Sequence, residues 1–355
     1  MGFPTNWIHW VMQCVFTVSY RILINGSPSK TILPSRGLRQ GDPLSPYLFI
    51  LCANVLSCAF IKNELNNSIK GIKIGRNCPT FTHLFFADDS LLFFKDDPKT
   101  ISTLQQTLHW YCDLSGQKFN AHKSELFSSP NISYDKQQVL SSTLDVKLVN
   151  HPGRYLGIKF CMRGRKAVNF EELVEKISNK LRGWKTKLLT QAGRVTLINS
   201  VLQSLPVYSF SCLKIPDKIC TKLDSIINAF CWGHQLSVRK LHLINWDTIC
   251  RPRNEGGLGI RKFKPMNQTL IAKQFWRIIQ QPQSMLAKTL TSKYCQREHI
   301  LSHKPKPSSS WSWKNIMHKP NPKLFQCTSK VSTGQSIPFQ HPAWFKSKSP
   351  STLES

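Results

Sequence analysis

Two adjacent aspartates, Asp88 and Asp89, interrupt an otherwise apolar run, THLFFADDSLLFF, and this feature most limits what the chain can fold into. Leu84, Phe85 and Phe86 precede the acids and Leu91, Leu92, Phe93 and Phe94 follow, so two short strands are expected to meet at Ala87-Asp88-Asp89. Apolar residues on both faces of each strand predict strands buried on both sides. Neighbouring carboxylates beside a core repel each other and lose hydration, so such a tip must reach water or hold a cation. Hard oxygen donors favour magnesium or manganese over zinc. A plain hairpin with a solvated acidic tip would sooner use Asn-Gly or Gly-X at its turn, and this one has no glycine there.

The flanking sequence predicts an α+β setting for that hairpin. Residues 6–20 are amphipathic and read as a packed helix, and RILINGSPSKTIL alternates around Asn25-Gly26, a pair that tolerates positive φ and signals a second hairpin. A Gly/Pro-rich turn, SRGLRQGDPLSP, leads into the apolar stretch of residues 44–61. That stretch carries Pro46, Asn54 and further serines, so it reads as a buried helix of a soluble domain rather than a membrane span. Asp42 and Pro43 sit where a helix start favours an acid and an imino ring. Ile101, Leu104, Leu108 and Tyr111 then recur at helical spacing before Gly116.

Past Phe170 the period is helical throughout. Leu173, Ile177, Leu181, Trp184 and Leu188 mark one helix, with Lys176, Lys180, Arg182, Lys185 and Lys187 elsewhere around it. Val195, Ile198 and Leu202 mark a second, stopped by Pro206, and Ile219, Leu223, Ile226 and Phe230 a third between Pro216 and Gly233. Three amphipathic helices in succession predict a small basic bundle. After a turn-rich stretch, RPRNEGGLG, a further helix carries Ile271, Phe275 and Ile278. Residues 301–355 hold 12 serines, 7 prolines and 8 lysines, a composition that predicts a largely unstructured tail.

Charge narrows the partner. Lysine and arginine number 48 against 19 acidic residues, a net +29 that favours a polyanion. The excess is uneven, with a net +4 over residues 1–150 and +25 over residues 151–355. Twelve cysteines without one C-x-x-C pair, and no secretory leader pattern, lead to the expectation of reduced thiols in a nuclear or cytoplasmic protein that is not secreted.

FADDS, with SRGLRQGDPLSPYLF upstream and SGQKFNAHKSELF downstream, resembles the palm of a reverse transcriptase, of the non-LTR (LINE-type) retrotransposon kind common in plants. The resemblance implies a right-hand polymerase palm over residues 1–160 and a basic, thumb-like helical region over 161–240. A connection of turns plus a helix over 241–300 and the tail over 301–355 would follow. It implies that Asp88 and Asp89 are catalytic metal ligands, Asp88 the more direct, for magnesium or manganese. Arg39, Gln40, Gly41 and Pro43 match the motif under the templating base and incoming nucleotide. Gly116, Asn120 and Lys123 match the segment after the catalytic hairpin, with Lys123 near the triphosphate, and Tyr155, Leu156 and Gly157 resemble the primer grip. The implied partners are an RNA template and the RNA/DNA duplex, held through phosphates by the basic helices, with no membrane.

The chain departs from that family at its start. No acidic residue precedes Asp42, so the first palm strand with its metal-binding aspartate, and the basic fingers residues, have no counterpart. A truncated polymerase, inactive alone, is therefore expected. KVSTGQSIPFQHPAWF faintly resembles the connector before a zinc-binding segment, yet His299, His303, Cys327 and His341 lack ligand spacing and are not expected to bind metal. A non-catalytic nucleic-acid-binding remnant and a maturase-like RNA-binding protein are the alternative readings.

Overall fold

The computed structural model describes residues 2–35, 37–159, 170–183, 189–233, 242–296, 298, 300 and 303–317. The chain forms two compact units: Met1–Lys73 with Thr80–Phe160, and Ile74–Pro79 with Cys161–Ser355. Helices and two-stranded sheets alternate in the first and helices dominate the second, an α+β protein.

In the first unit, helix α1 (Thr5–Phe16) precedes a hairpin of β1 (Leu23–Ile24) and β2 (Ser27–Pro28). Asn25 and Gly26 adopt φ of 48° and 84°, the positive values that a two-residue turn between right-twisted strands requires. Helix α1 was expected to pack, but none of its residues is fully buried, and its Cys14 and Val15 only border a depression shared with Leu44 and Leu48. Helix α2 (Ser45–Leu65) follows, then β3 (Ile72–Lys73), β4 (Thr80–Phe81), β5 (His83–Phe86) and β6 (Asp89–Leu92). Helix α3 (Pro98–Ser115) is capped by Asp97, whose carboxylate accepts from Thr100 N–H, and is closed by Gly116. Strands β7 (Glu125–Phe127) and β8 (Lys147–Val149) pair in parallel through helix α4 (Tyr134–Leu144), and β9 (Arg154–Tyr155) turns back on β10 (Ile158–Lys159).

The core of this unit is small: Leu56 and Phe60 of α2, Ile69, and Leu104 and Tyr111 of α3. The expectation of a buried helix over residues 44–61 is corrected here, since only Leu56 and Phe60 of α2 are buried while Tyr47 is 68% and Ile50 61% exposed. Its apolar residues are spread around the helix, and α3 with the β5–β6 hairpin covers only part of it. By length and composition alone it could cross a bilayer.

The second unit is a helical layer with a larger interior. Its elements are α5 (Glu171–Leu181), α6 (Gln191–Leu197) running into a π turn at Ile198–Leu202, α7 (Val207–Cys212), α8 (Asp217–Cys231), the short α9 (Trp246–Ile249), α10 (Phe263–Gln280), α11 (Met285–Leu290) and α12 (Trp311–Ile316). The helix expected to reach Leu188 ends at Leu181 and turns through Arg182-Gly183, and Trp184 and Leu188 lie outside the described residues. On α8 the buried stripe is Cys220, Leu223, Ile227 and Cys231, so the cysteines displace the expected Ile219, Ile226 and Phe230 from the innermost positions. Asn267, 3% exposed, fastens α10 to the end of α7. Its Oδ1 accepts from Ile215 N–H at 2.9 Å and its Nδ2 donates to the carbonyls of Phe210 and Leu213 at 2.8 Å each.

The tail expectation needs correction at its start. Within residues 303–317, α12 forms and Trp313 is fully buried against Phe275, Ile278, Ala287 and Cys295, with Tyr294 stacked on it at 5.0 Å. One large indole supplies an apolar payload that the serine and proline count hides. Residues 318–355 lie outside the described residues.

Candidate functional site

The acid pair sits where the strand pattern requires it, at the reversal between β5 and β6. His83 pairs with Leu92, Leu84 with Leu91, Phe85 with Ser90 and Phe86 with Asp89. Cross-strand partners share a face. His83, Leu92, Phe85 and Ser90 therefore form one side of the ribbon, and Leu84, Leu91, Phe86 and Asp89 the other. The first side packs on α2: Phe85 lies 6.1 Å from Phe60 edge-on, and Phe85 and Leu92 both border the small core. The second is open, with Leu84 40% and Phe86 60% exposed. The expectation of strands buried on both faces is thus corrected, because among the described residues β5 and β6 form a two-stranded sheet covered on one side only.

Asp88 and Asp89 are both exposed, so the tip takes the first of the two ways to accommodate like charges and reaches water. Ala87, immediately before them, has φ 49°. An alanine gains nothing locally from left-handed backbone, which costs on the order of 1–2 kcal/mol, and the aromatic anchor beneath the ribbon holds it there.

Beneath the ribbon is a polar contact that sequence patterning did not reveal. His83 Nε2 shares a 2.7 Å hydrogen bond with Ser57 Oγ on α2, and its Nδ1 shares one of 2.9 Å with Thr82 Oγ1. Its ring also lies 4.7 Å from Phe85 and 5.4 Å from Phe60. Burial holds its pKa below the ordinary value, so the neutral ring, one nitrogen donating and the other accepting, is the form that fits. The only sequence signal was a histidine inside a strand.

The Gln40-Gly41 turn is a separate, well-fixed feature. Leu44 N–H donates to Asp42 Oδ1 at 2.7 Å and Ser45 Oγ donates to the Arg39 carbonyl at 2.8 Å, which closes residues 39–45 on themselves ahead of α2. Gly41 has φ 85° with open space where a Cβ would stand, so glycine is needed there for backbone conformation. Arg39, Gln40, Gly41 and Pro43 line an open depression with Pro46 and Phe49, and neither Asp88 nor Asp89 lines it. The structure thus gathers these four residues but does not put the acid pair in their depression.

The Tyr155 hairpin does reach the acid pair electrostatically. Leu156 and Gly157 form its turn with φ of 51° and 79°. Burial first, and then the negative charge of Asp89, push the Tyr155 phenol above its ordinary pKa. Lys123 is exposed at the end of a 3-10 turn, Ala121–Lys123, and its own N–H donates to Asn120 Oδ1 at 3.2 Å. No hydrogen bond or ion pair among the described residues joins it to Asp88 or Asp89.

The donor chemistry at the tip fits a hard divalent cation: two adjacent solvated carboxylates suit a magnesium ion that keeps several waters. Among the described residues no group of three His, Cys, Asp or Glu side chains could hold a metal. His303 donates from Nδ1 to Glu298 at 2.9 Å instead of gathering ligands.

Comparison with known proteins agrees with the motif order. The family described as Reverse transcriptase (RNA-dependent DNA polymerase) matches residues 1–160. A protein of Arabidopsis thaliana named as a ribonuclease H protein is 40% identical over 149 residues, 41% of this chain and 24% of its own length. An uncharacterized mitochondrial protein of the same plant is 34% identical over 116 residues, 32% of this chain and 75% of its own. A retrovirus-related Pol polyprotein from a type-2 retrotransposable element of Drosophila melanogaster is 26% identical over 271 residues, 73% of this chain and 24% of its own. The chain therefore spans about a quarter of the length of two of these relatives.

Proposed function

The chain belongs to the reverse transcriptases of non-LTR retrotransposons, and on that premise we propose that it is the palm and downstream helical part of an RNA-directed DNA polymerase that needs a further segment to polymerise. The observation that carries the reading is the exposed Asp88-Asp89 tip, fixed by a strained Ala87 and by the aromatic face packed on α2. Asp88 and Asp89 would hold the divalent ion, which when bound neutralises charge developing on a phosphoryl group as a primer 3′-hydroxyl attacks an α-phosphate. Tyr155, whose phenol pKa burial and then Asp89 push up, is a hydroxyl donor for the same site. Arg39 can fork onto phosphate, and the depression lined by Pro43, Pro46 and Phe49 offers an apolar floor for a base. Palm, thumb and connection over residues 1–160, 161–240 and 241–300, and the roles of Lys123 and the Tyr155 hairpin, are parts of the same proposal.

Among the described residues no third carboxylate joins the tip to hold a pair of bridged ions, and inactivity of the chain alone is the reading we adopt. The test is magnesium-dependent primer extension on an RNA template by the purified chain. No synthesis is expected, and robust synthesis abolished by Asp88→Asn would overturn the inactivity. Manganese relaxation of nearby NMR signals gives a readout without turnover, and its loss in Asp88→Asn with Asp89→Asn is the expected result. The same shortage of ligands favours, as a second reading, a nucleic-acid-binding remnant without catalysis.

A further inference from the structure

We propose that the exposed face of α10, together with α12, is a binding surface for single-stranded RNA, distinct from the acid pair and working without metal. The inference rests on the polymerase reading for the identity of the polyanion, and on charge placement for the site.

The positive excess of the second half is not carried by the helices that the sequence marked as basic. Residues 171–232 hold 9 basic and 5 acidic side chains, and Glu171 and Glu172 pair with Lys222 and Lys176 at 2.7 and 3.7 Å. Residues 261–317 hold 11 basic side chains and a single acid, Glu298, which is bonded to His303. Lys262 and Lys264 find Asp247 and Asp217. Lys273, Arg277, Lys288, Lys304 and Lys306 meet no carboxylate among the described residues. So large an unneutralised charge on a folded surface is the footprint of a phosphate backbone.

Aromatic placement makes the surface more than a charged helix. On α10, Ile271, Phe275 and Ile278 are buried, while Lys273, Trp276, Arg277 and Gln280 recur at positions i, i+3, i+4 and i+7 on the solvent side. Trp276 is 37% exposed between two like charges that an isolated helix would keep apart. Helix α12, which packs on α10, buries Trp313 and turns Trp311 outward at 47% exposure. Indoles held in a basic surface are stacking platforms for unpaired bases, which a duplex hides in its own stack. A lipid surface would need a continuous apolar face, and an acidic peptide would use the charge without the indoles.

The experiment is fluorescence anisotropy of a labelled oligouridylate, and of an RNA duplex of equal length, with the full chain in chelator. The expected result is preference for the single strand, with an affinity that falls steeply between ~50 and ~200 mM salt. Lys273→Gln with Arg277→Gln should weaken binding about tenfold and lower the salt slope by about 2. Trp276→Ala and Trp311→Ala should each weaken single-strand binding about fivefold and leave duplex binding unchanged. Circular dichroism matching the parent establishes that each variant is folded, and Trp→Phe variants, which keep a ring, should retain most of the affinity. Equal affinity for duplex, or folded tryptophan variants that bind like the parent, would overturn the proposal. The anisotropy is read in chelator and without turnover, so failure of primer extension and failure of this surface are read separately.

Discussion

The two units of this chain solve the burial problem differently. Among the described residues seven apolar side chains are buried in the first unit and twenty-five in the second. The first spends its sequence on short hairpins and on α1 and α2, whose apolar surfaces face solvent: Phe16 is 77%, Ile50 61% and Leu65 76% exposed. The second closes its helices on one another and ties α10 to α7 through Asn267. The unit that carries the acid pair is thus open while the unit that follows it is closed. Stability of the chain should accordingly reside in the second unit, since buried apolar area is the main favourable term.

The sharpest way to break this comparison is to empty the second core. Trp313→Ala should cost about 3–5 kcal/mol in urea unfolding, and a loss below about 1 kcal/mol would show that α12 contributes little to this core. Next in size, Asn267→Ala should cost about 3 kcal/mol, because the amide of Ile215 and the carbonyls of Phe210 and Leu213 lose their partners inside the protein. In contrast, Phe86→Ala in the first unit should shift unfolding by less than about 0.5 kcal/mol, as expected of an exposed side chain.

Between these extremes lies a difference in pH response. In the second unit burial raises Asp224 to about 6, against hydrogen bonding from Phe263 N–H and the charge of Lys262. The native state then binds more protons than the unfolded chain between the ordinary aspartate range and pH 6, so stability of that unit should fall as pH rises through this window. The effect is on the order of 1 kcal/mol once screening of a partly exposed group is allowed for, and Asp224→Asn should flatten it. In the first unit burial lowers His83, so the unfolded chain binds more protons just below the ordinary histidine value and stability should rise with pH there. Hydrogen exchange followed separately in α8 and in α2 would read the two slopes, and slopes of the same sign would refute the assignment.

Much of the local structure was legible in advance. The Asn25-Gly26 and Ala87-Asp88 turns, the cap at Gly116 and the helices around Leu104, Ile198 and Phe275 all formed where backbone preference and spacing put them. What misled was the inference from apolar content to burial: α1, most of α2 and one face of the Asp88 hairpin are apolar and exposed. The acid pair was visible because two adjacent acids in an aromatic run contradict their surroundings. His83 with Ser57, and Asn267 with its three backbone partners, were hidden because they join residues 26 to 57 positions apart.

By itself the sequence determined the reversal at the acid pair, the glycine and asparagine turns, the periods of the helices and the chain's own strongly positive charge. These depend on φ preferences, on residue spacing and on summed charge, all of which are properties of short segments or of composition. Only the tertiary structure decided which faces are covered, that Asp89 raises the Tyr155 phenol, and that Lys176 and Lys222 meet carboxylates while Lys273 and Arg277 of α10 meet none among the described residues. Those outcomes depend on which distant element arrives to bury a stripe or neutralise a charge, and no local pattern encodes that arrival.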